Sequence, residues 1–146
     1  PGSEHWPKLE RNNSNRFEAR MVQVKINKSN SNFFDGMEGS QLLVPVNHGE
    51  GKMIFPEHVS AKKIISDNLA PIQFCTNKGM EAKEFPENPN GSSHGITAVT
   101  NEDGRFLIMM PHPERSFLNN QLSWTDEKGK HSPWFKLFLN ARNFYS

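Results

Sequence analysis

The sequence contains a single cysteine, no long apolar run and no excess of charge of either sign. One cysteine cannot form an internal disulfide, which favours a reducing compartment such as the cytoplasm. No apolar run approaches the roughly 20 residues that a membrane-spanning helix needs, and no basic-then-apolar leader indicates secretion. The 17 basic and 16 acidic residues leave a net charge of +1 without a clustered basic face. The composition therefore predicts a soluble cytoplasmic protein with neither nucleic-acid nor membrane partners.

The sequence does contain enough apolar residues, 34% of 146, for one domain with a core. Five short apolar or alternating segments have strand patterns. They are residues 17–26, 41–46, 71–76, 96–100 and 105–110. The last two flank Asp103-Gly104, a step that is typical of a β-hairpin turn. Strands mixed with two helical segments predict an α/β or α+β layer fold.

Two helices are predicted, over residues 57–68 after Pro56 and from Pro133 to the end of the chain. The second has Ser132 as its N-cap and proline at its first helical position. Five residues recur at helical spacing and predict a buried stripe. They are Trp134, Leu137, Phe138, Ala141 and Tyr145. Such a stripe is more typical of core packing than of a cofactor site.

The segment Pro111-His112-Pro113-Glu114-Arg115 follows an apolar strand, and in α/β folds that edge of a sheet commonly carries chemistry. Each proline favours extended backbone in the residue before it, so His112 and Glu114 should project to the same side. A carboxylate can then accept a hydrogen bond from one imidazole nitrogen and leave the other as a base. A nucleophile supplied from elsewhere would complete a triad. The alternative interpretation is a proline-rich turn with an ion pair between Glu114 and Arg115.

Residues 109–115, Met-Met-Pro-His-Pro-Glu-Arg, resemble the His-Pro-Glu signature of triad (class I) glutamine amidotransferases. Further matches in the same order extend the resemblance over the whole chain, to the large single-chain phosphoribosylformylglycinamidine synthases. They are segments 1–7 (PGSEHWP), 16–20 (RFEAR), 48–51 (HGEG), 88–92 (NPNGS), 95–101 (GITAVTN), 132–134 (SPW) and 140–142 (NAR). Residues 1–146 thus resemble the C-terminal portion of a glutaminase domain.

The resemblance implies part of a flavodoxin-like α/β domain with additional antiparallel strands. It implies that His112 is the general base and acid and that Glu114 orients it. The family's nucleophile is a cysteine in a Gly-X-Cys-X-Gly elbow, and no such elbow is present. Cys75 lies in a strand-like run without flanking glycines, so we expect a buried structural thiol. The resemblance therefore predicts that the isolated chain does not hydrolyse glutamine.

A glycine-containing segment, residues 47–51, follows the predicted strand 41–46. Related amidotransferases hold glutamine against a similar segment, which implies that Asn47, Gly49 and Glu50 contact the substrate. The alternative is an ordinary polar turn. A metal site built from histidines is disfavoured, because none of them has zinc-ligand spacing.

The synthases resembled here use glutamine, ATP and Mg to convert formylglycinamide ribonucleotide into its amidine in purine biosynthesis. The chain has no Gly-rich phosphate loop, so we expect no cofactor in it and assign ATP and Mg to upstream synthetase domains of the same polypeptide. Glutamine and those domains are the expected partners. Two alternatives are a non-catalytic interaction module and a separate small-subunit glutaminase. The opening at residues 1–7 and the long tail after Glu114 disfavour the second.

Overall fold

The computed structural model describes residues 3–126 and 128–146. Pro1 and Gly2, which begin the match at residues 1–7, lie outside the described residues, as does Glu127. The elements are β1 (Lys8–Glu10), β2 (Glu18–Ile26), β3 (Gln41–His48), β4 (Lys52–Ile54), α1 (Ala61–Ser66), β5 (Ile72–Phe74), β6 (Ile96–Thr100), β7 (Leu107–Met109) and α2 (Phe135–Tyr145). Short 3₁₀ turns occupy Asn32–Phe34, Ser93–Gly95, Pro113–Arg115 and Asn119–Gln121.

The strands form two antiparallel sheets. One contains β1 and β4, and the other has the strand order β3-β2-β5-β6-β7. All five predicted strands are present, and the predicted mixture of strands with two helices is confirmed. Strands β1 and β4 were missed because three residues are too few to show a period.

The hairpin between β6 and β7 has the predicted turn. Gly104 adopts a φ of +72°, which favours glycine, and its N–H donates to the carbonyl of Asn101. A Cβ at this position would meet the carbonyl oxygen of Asn30 at 1.8 Å. The glycine therefore serves both the turn and the close approach of a second loop.

Alternation along β2 creates the main core. Glu18, Val22, Val24 and Ile26 are buried on one face, while residues between them are exposed or half-buried. The apolar members pack with residues from β3, β5, β6 and α2. These include Val44, Val46, Ile72, Phe74, Ala98, Trp134 and Leu137. A smaller cluster beneath α1 contains Met53, Ile64, Leu69, Ala70, Ile96 and Val99.

The five-stranded sheet curls until its two edge strands meet. His112, just beyond β7, donates its backbone N–H to the carbonyl of Pro45 on β3 at 2.8 Å. The Nε1 of Trp134 donates to the carbonyl of Leu43 on the same free edge at 2.8 Å. Pro45 is tolerated here because the N and O of one residue in an antiparallel strand point to the same side, away from β2 in this case. The free edge of β3 is thus covered by this chain itself.

Both helices begin later than the sequence predicts. Residues 56–60 form a turn instead of helix, with the N–H of Val59 donating to Pro56, and α1 begins at Ala61. In the last element, the Oγ of Ser132 accepts from the N–H of Trp134, and α2 begins at Phe135. These local side-chain and turn bonds satisfy donors that a helix would leave free.

The predicted stripe on α2 is buried only at its start. Trp134 and Leu137 are 1% and 4% exposed, whereas Tyr145 is 55% exposed. The prediction that Tyr145 is buried was therefore wrong. Its ring lies against Phe33 and its hydroxyl donates to the carbonyl of Arg105, so it covers the core from outside. None of the helices in the described ranges is both long and apolar enough to cross a membrane.

Two tryptophans allow a matched test of this core. Trp134→Ala should lower the free energy of unfolding by about 3–5 kcal/mol, because it empties the largest side chain of the core. Trp124→Ala should change it by no more than about 0.5 kcal/mol, because Trp124 is 77% exposed. Urea unfolding followed by circular dichroism measures both. Equal losses in the two variants would contradict the packing described here.

Candidate active site

The turn after β7 fixes His112 on the edge of the sheet. Its N–H is held by Pro45, and its own carbonyl accepts the N–H of Arg115 at 3.0 Å. Residues Pro113–Arg115 form a single 3₁₀ turn, with proline at its start. Two backbone hydrogen bonds therefore flank the imidazole of His112, and the turn determines where Glu114 lies.

The side chains of His112 and Glu114 are brought together. Nδ1 of His112 lies 2.7 Å from Oε1 of Glu114. Because an ionised carboxylate only accepts, this hydrogen bond places the proton on Nδ1 and leaves the lone pair of Nε2 for another group. The 3₁₀ turn achieves this proximity, whereas the sequence had suggested extended backbone. His112 has φ −110° and ψ 75°.

The ion pair of the alternative interpretation is also present. Nε of Arg115 lies 3.6 Å from the same oxygen of Glu114. The Arg115 and Glu114 side chains are both about half exposed, at 49% and 53%, so this pair contributes little stability. Arg115 and His112 thus both approach Oε1 of Glu114, and His112 is the nearer of the two, at 2.7 Å.

The glycine-containing segment connects β3 to β4 beside this turn. Asn47 pairs in register with Ala19 of β2 and is half-buried, Gly49 is half-buried, and Glu50 is exposed. The loop is held by Asn12, whose side chain is 1% exposed. Among residues 47–51, His48 is the one whose ring lies near that of His112, and Glu50 is exposed to solvent.

Asn12 uses every polar group it has. Its Nδ2 donates to the carbonyls of Arg16 and His48, at 2.9 and 2.8 Å. Its Oδ1 accepts from the backbone N–H of Gly51 and from Nδ2 of Asn90, at 3.1 and 2.7 Å. Its own N–H donates to the carbonyl of Gly49 at 2.9 Å. One buried asparagine thus fixes both ends of the loop.

Sequence reasoning missed Asn12 and Asn90. The two are 78 positions apart. Asparagine is a common loop residue, and nothing in the local sequence distinguishes one that is buried. Asn90 lies within segment 88–92 of the family resemblance, which does not indicate its burial.

The two glycines of the loop have different roles. A Cβ on Gly51 would lie 2.2 Å from Nε2 of His48 and 2.5 Å from Nδ2 of Asn90. A Cβ on Gly49 would meet only Phe17, at 3.9 Å. The space at Gly51 is therefore filled by the protein's own side chains.

His48 lies between the loop and the catalytic candidate. Its ring centroid is 6.2 Å from that of His112, at an interplanar angle of 42°. Both ring nitrogens are shielded from solvent, and neither makes a hydrogen bond of normal geometry with the described residues. Burial lowers the pKa of His48 below its ordinary value of 6.5, neighbouring Asn90 opposes this, and His112 adds to it. Burial therefore favours the neutral form of the His48 imidazole.

Cys75 is buried, as predicted. It is 2% exposed at the end of β5, and its N–H donates to the carbonyl of Gln23. Burial raises the pKa of its thiol, which disfavours the thiolate needed by a nucleophile. Elsewhere, His94 pairs with Glu81 at 3.2 Å. Within residues 3–126 and 128–146, no group of three His, Cys, Asp or Glu side chains is arranged to hold a metal ion.

Comparison with known proteins identifies the family and confirms the predicted α/β amidotransferase fold with additional antiparallel strands. The family model of the CobB/CobQ-like glutamine amidotransferase domain matches residues 1–145. Among solved structures, PurLQS from Thermotoga maritima is similar over 96% of this chain, with a TM-score of 0.67 and 22% sequence identity. This chain covers 53% of that one, so it spans about half its length. At that identity the similarity shows a common fold.

The loop glycines provide a matched pair of substitutions. Gly51→Ala should lower the free energy of unfolding by about 1–3 kcal/mol, because the new methyl overlaps His48 and the backbone is tied to Asn12. Gly49→Ala should change it by less than about 1 kcal/mol, because nothing lies closer than 3.9 Å. Urea denaturation midpoints measure both. A tolerated Gly51→Ala would show that the ring of His48 does not occupy this space.

Asn12→Ala should lower the free energy of unfolding by about 2 kcal/mol or more. It leaves the buried donors of Gly51 and Asn90 without an acceptor, at about 1–3 kcal/mol for each. Asn143→Ala, at an exposed position on α2, is the control and should have almost no effect. A loss below about 1 kcal/mol for Asn12→Ala in guanidinium unfolding would contradict its role in holding the loop.

Proposed function

The chain belongs to the CobB/CobQ-like glutamine amidotransferase domain family, and from this premise we propose that it is the base-bearing part of a glutaminase in a phosphoribosylformylglycinamidine synthase. The observation that carries the proposal is the 2.7 Å hydrogen bond from Nδ1 of His112 to Glu114. It is the base-and-orienting-carboxylate half of a catalytic triad. The sequence matches distributed along the chain favour the large single-chain form of the synthase.

In this proposal His112 transfers protons and Glu114 orients it. Nε2 of His112 takes the proton of a cysteine thiol, and the thiolate attacks the side-chain amide carbon of glutamine. The imidazolium then gives the proton to the departing nitrogen. The C–N bond breaks, ammonia departs, and a glutamyl thioester remains on the cysteine. Water hydrolyses the thioester with His112 again as base. Glu114 holds the Nδ1–H tautomer throughout and stabilises the imidazolium.

The nucleophile is proposed to come from outside these 146 residues. The one cysteine of the sequence, Cys75, is buried on a strand and has a raised thiol pKa. A cysteine in a glycine-flanked elbow, supplied by upstream sequence, would complete the triad. The isolated chain is therefore expected to release no ammonia from glutamine.

The loop between β3 and β4 is proposed to hold the glutamine. Asn47, Gly49 and Glu50 are the contact candidates, and the hydrogen bonds of Asn12 to the carbonyls of His48 and Gly49 keep this loop rigid. A rigid loop beside the base is suited to presenting an amide carbon in one orientation.

The ammonia is proposed to serve an amidation performed elsewhere in the same polypeptide. Upstream synthetase domains would bind ATP and Mg and convert formylglycinamide ribonucleotide into its amidine, a step of purine biosynthesis in the cytoplasm. The family supports the glutaminase half of this scheme. The ATP-dependent half depends on resemblance alone.

The triad assignment is tested in a polypeptide that carries this chain behind its upstream elbow. His112→Ala should lower kcat for glutamine-dependent ammonia release by about 10²–10⁴-fold, because the proton-transfer group is lost. Glu114→Gln should lower kcat as well, since an amide cannot stabilise the imidazolium. His58→Ala, at an exposed position, should retain full activity.

Three outcomes would count against the proposal. Retention of activity by His112→Ala would remove His112 from the mechanism. Ammonia release by the pure 146-residue chain would show that it needs no external nucleophile. If the extended protein binds its synthetase domains but releases no ammonia even in their presence, the chain is a non-catalytic interaction module.

A further inference from the structure

The remaining feature of the site is His48, whose ring is enclosed on three sides. Gly51 faces it from one side, where a Cβ would approach within 2.2 Å of Nε2. Asn90 crowds the same point, and the ring of His112 lies 6.2 Å away between centroids. The ring therefore has little freedom to turn without moving one of these neighbours.

Gly51 cannot retreat from the ring. Its N–H is fixed by Oδ1 of Asn12, and the same oxygen holds Nδ2 of Asn90. Asn12 also holds the carbonyl of His48 itself. The buried Asn12 side chain therefore fixes the backbone of His48 together with Gly51 and Asn90, which lie on one side of the His48 ring. The ring of His112 lies on the other side.

His48 and His112 are attached to the same strand. His48 is the last residue of β3, and three residues earlier Pro45 receives the backbone N–H of His112. A shift of β3 would consequently move both rings together. The distance between the His48 and His112 rings is therefore fixed by β3. One side chain can orient another only when the distance between them is fixed in this way.

Few ionisable groups surround His48. His112 faces it from the turn after β7, and Glu18 is its register partner on β2. The carboxylate of Glu18 is already bound by Ser14 and Arg20, at 2.7 and 2.8 Å. The loop at residues 88–91 presents the neutral Asn90. A neutral ring in this place adds no positive charge beside His112.

We propose that His48 is a positioning residue, whose ring packs between Gly51 and His112 and keeps the His112 imidazole turned towards Glu114. This inference rests on the proposed glutaminase function for its catalytic meaning. The geometric part is independent of it, because the orientation of His112 exists with or without turnover. The relevant property of His48 is a flat, uncharged ring of the right size.

The orientation can be read directly from the 146-residue chain. ¹⁵N NMR of histidine-labelled protein reports which ring nitrogen carries the proton. Wild-type His112 should be mainly the Nδ1–H tautomer, because Glu114 accepts from Nδ1. His48→Ala should shift His112 towards a mixture of tautomers, while His48→Phe, which restores a neutral ring, should retain Nδ1–H. His131→Ala, whose ring stacks on Phe135 on α2, is the control.

Activity gives the second measurement, in the polypeptide extended through the upstream elbow. His48→Ala should lower kcat about 10-fold with little change in KM, since the base is misaligned but the glutamine loop remains. His48→Phe should recover most of that loss. Fluorescence-monitored urea unfolding of both variants shows whether they remain folded.

The outcomes separate the two ideas. An unchanged His112 tautomer in a folded His48→Ala variant would overturn the positioning role, whatever the activity. A shifted tautomer that Phe reverses supports it, even if no ammonia release is found and the proposed function fails. Equal loss of the Nδ1–H tautomer in His48→Phe and His48→Ala would also overturn it, because ring shape would then be irrelevant.

Discussion

A single hydrogen bond, from the N–H of His112 to the carbonyl of Pro45, brings the parts of the candidate active site together. It joins the two edges of the five-stranded sheet, which are far apart in strand order. The turn with Glu114 begins at one side of this bond, and the loop after β3 begins four residues after Pro45, at the other side. The catalytic candidate and the proposed glutamine loop are therefore neighbours only because the sheet curls. A flat sheet with the same strands would separate them by its full width.

The interior of the site is polar, and it is ordered by buried amides. Asn12 connects three chain segments through one side chain, and no charged group takes part. A fully satisfied polar hub fixes directions as well as distances, which apolar packing alone does not. Burial of the adjacent His48 favours the neutral form of its ring. His112 thus lies between the ring of His48 and the carboxylate of Glu114. The proton on Nδ1 of His112 therefore has one favourable acceptor, which is Glu114.

Local patterns in the sequence predicted the parts of the fold that depend on local physics. Alternation gave β2, the Asp103-Gly104 step gave the β6–β7 hairpin, and prolines around His112 indicated a chain leaving its sheet. The local patterns did not predict the hydrogen bonds of the buried Asn12 side chain, because its partners are distant in sequence. They also misplaced the start of both helices, where turn bonds competed with helix bonds. The pairing of His112 with Glu114 was predicted, but the role of Pro45 arises from curvature that no local pattern encodes.

Three asparagines whose side chains are hydrogen-bonded within the fold have a consequence for chemical modification. Asn12, Asn27 and Asn90 each begin an Asn-X-Ser sequence, the acceptor pattern for N-linked glycans. In the fold, Nδ2 of each donates hydrogen bonds inside the protein: Asn12 to two carbonyls, Asn27 to Ala70 and Gln73, and Asn90 to Asn12. A sugar on that nitrogen would remove a donor and require space that packed atoms occupy. A glycan on Asn12 or Asn90, which are 1% and 0% exposed, is therefore incompatible with this packing.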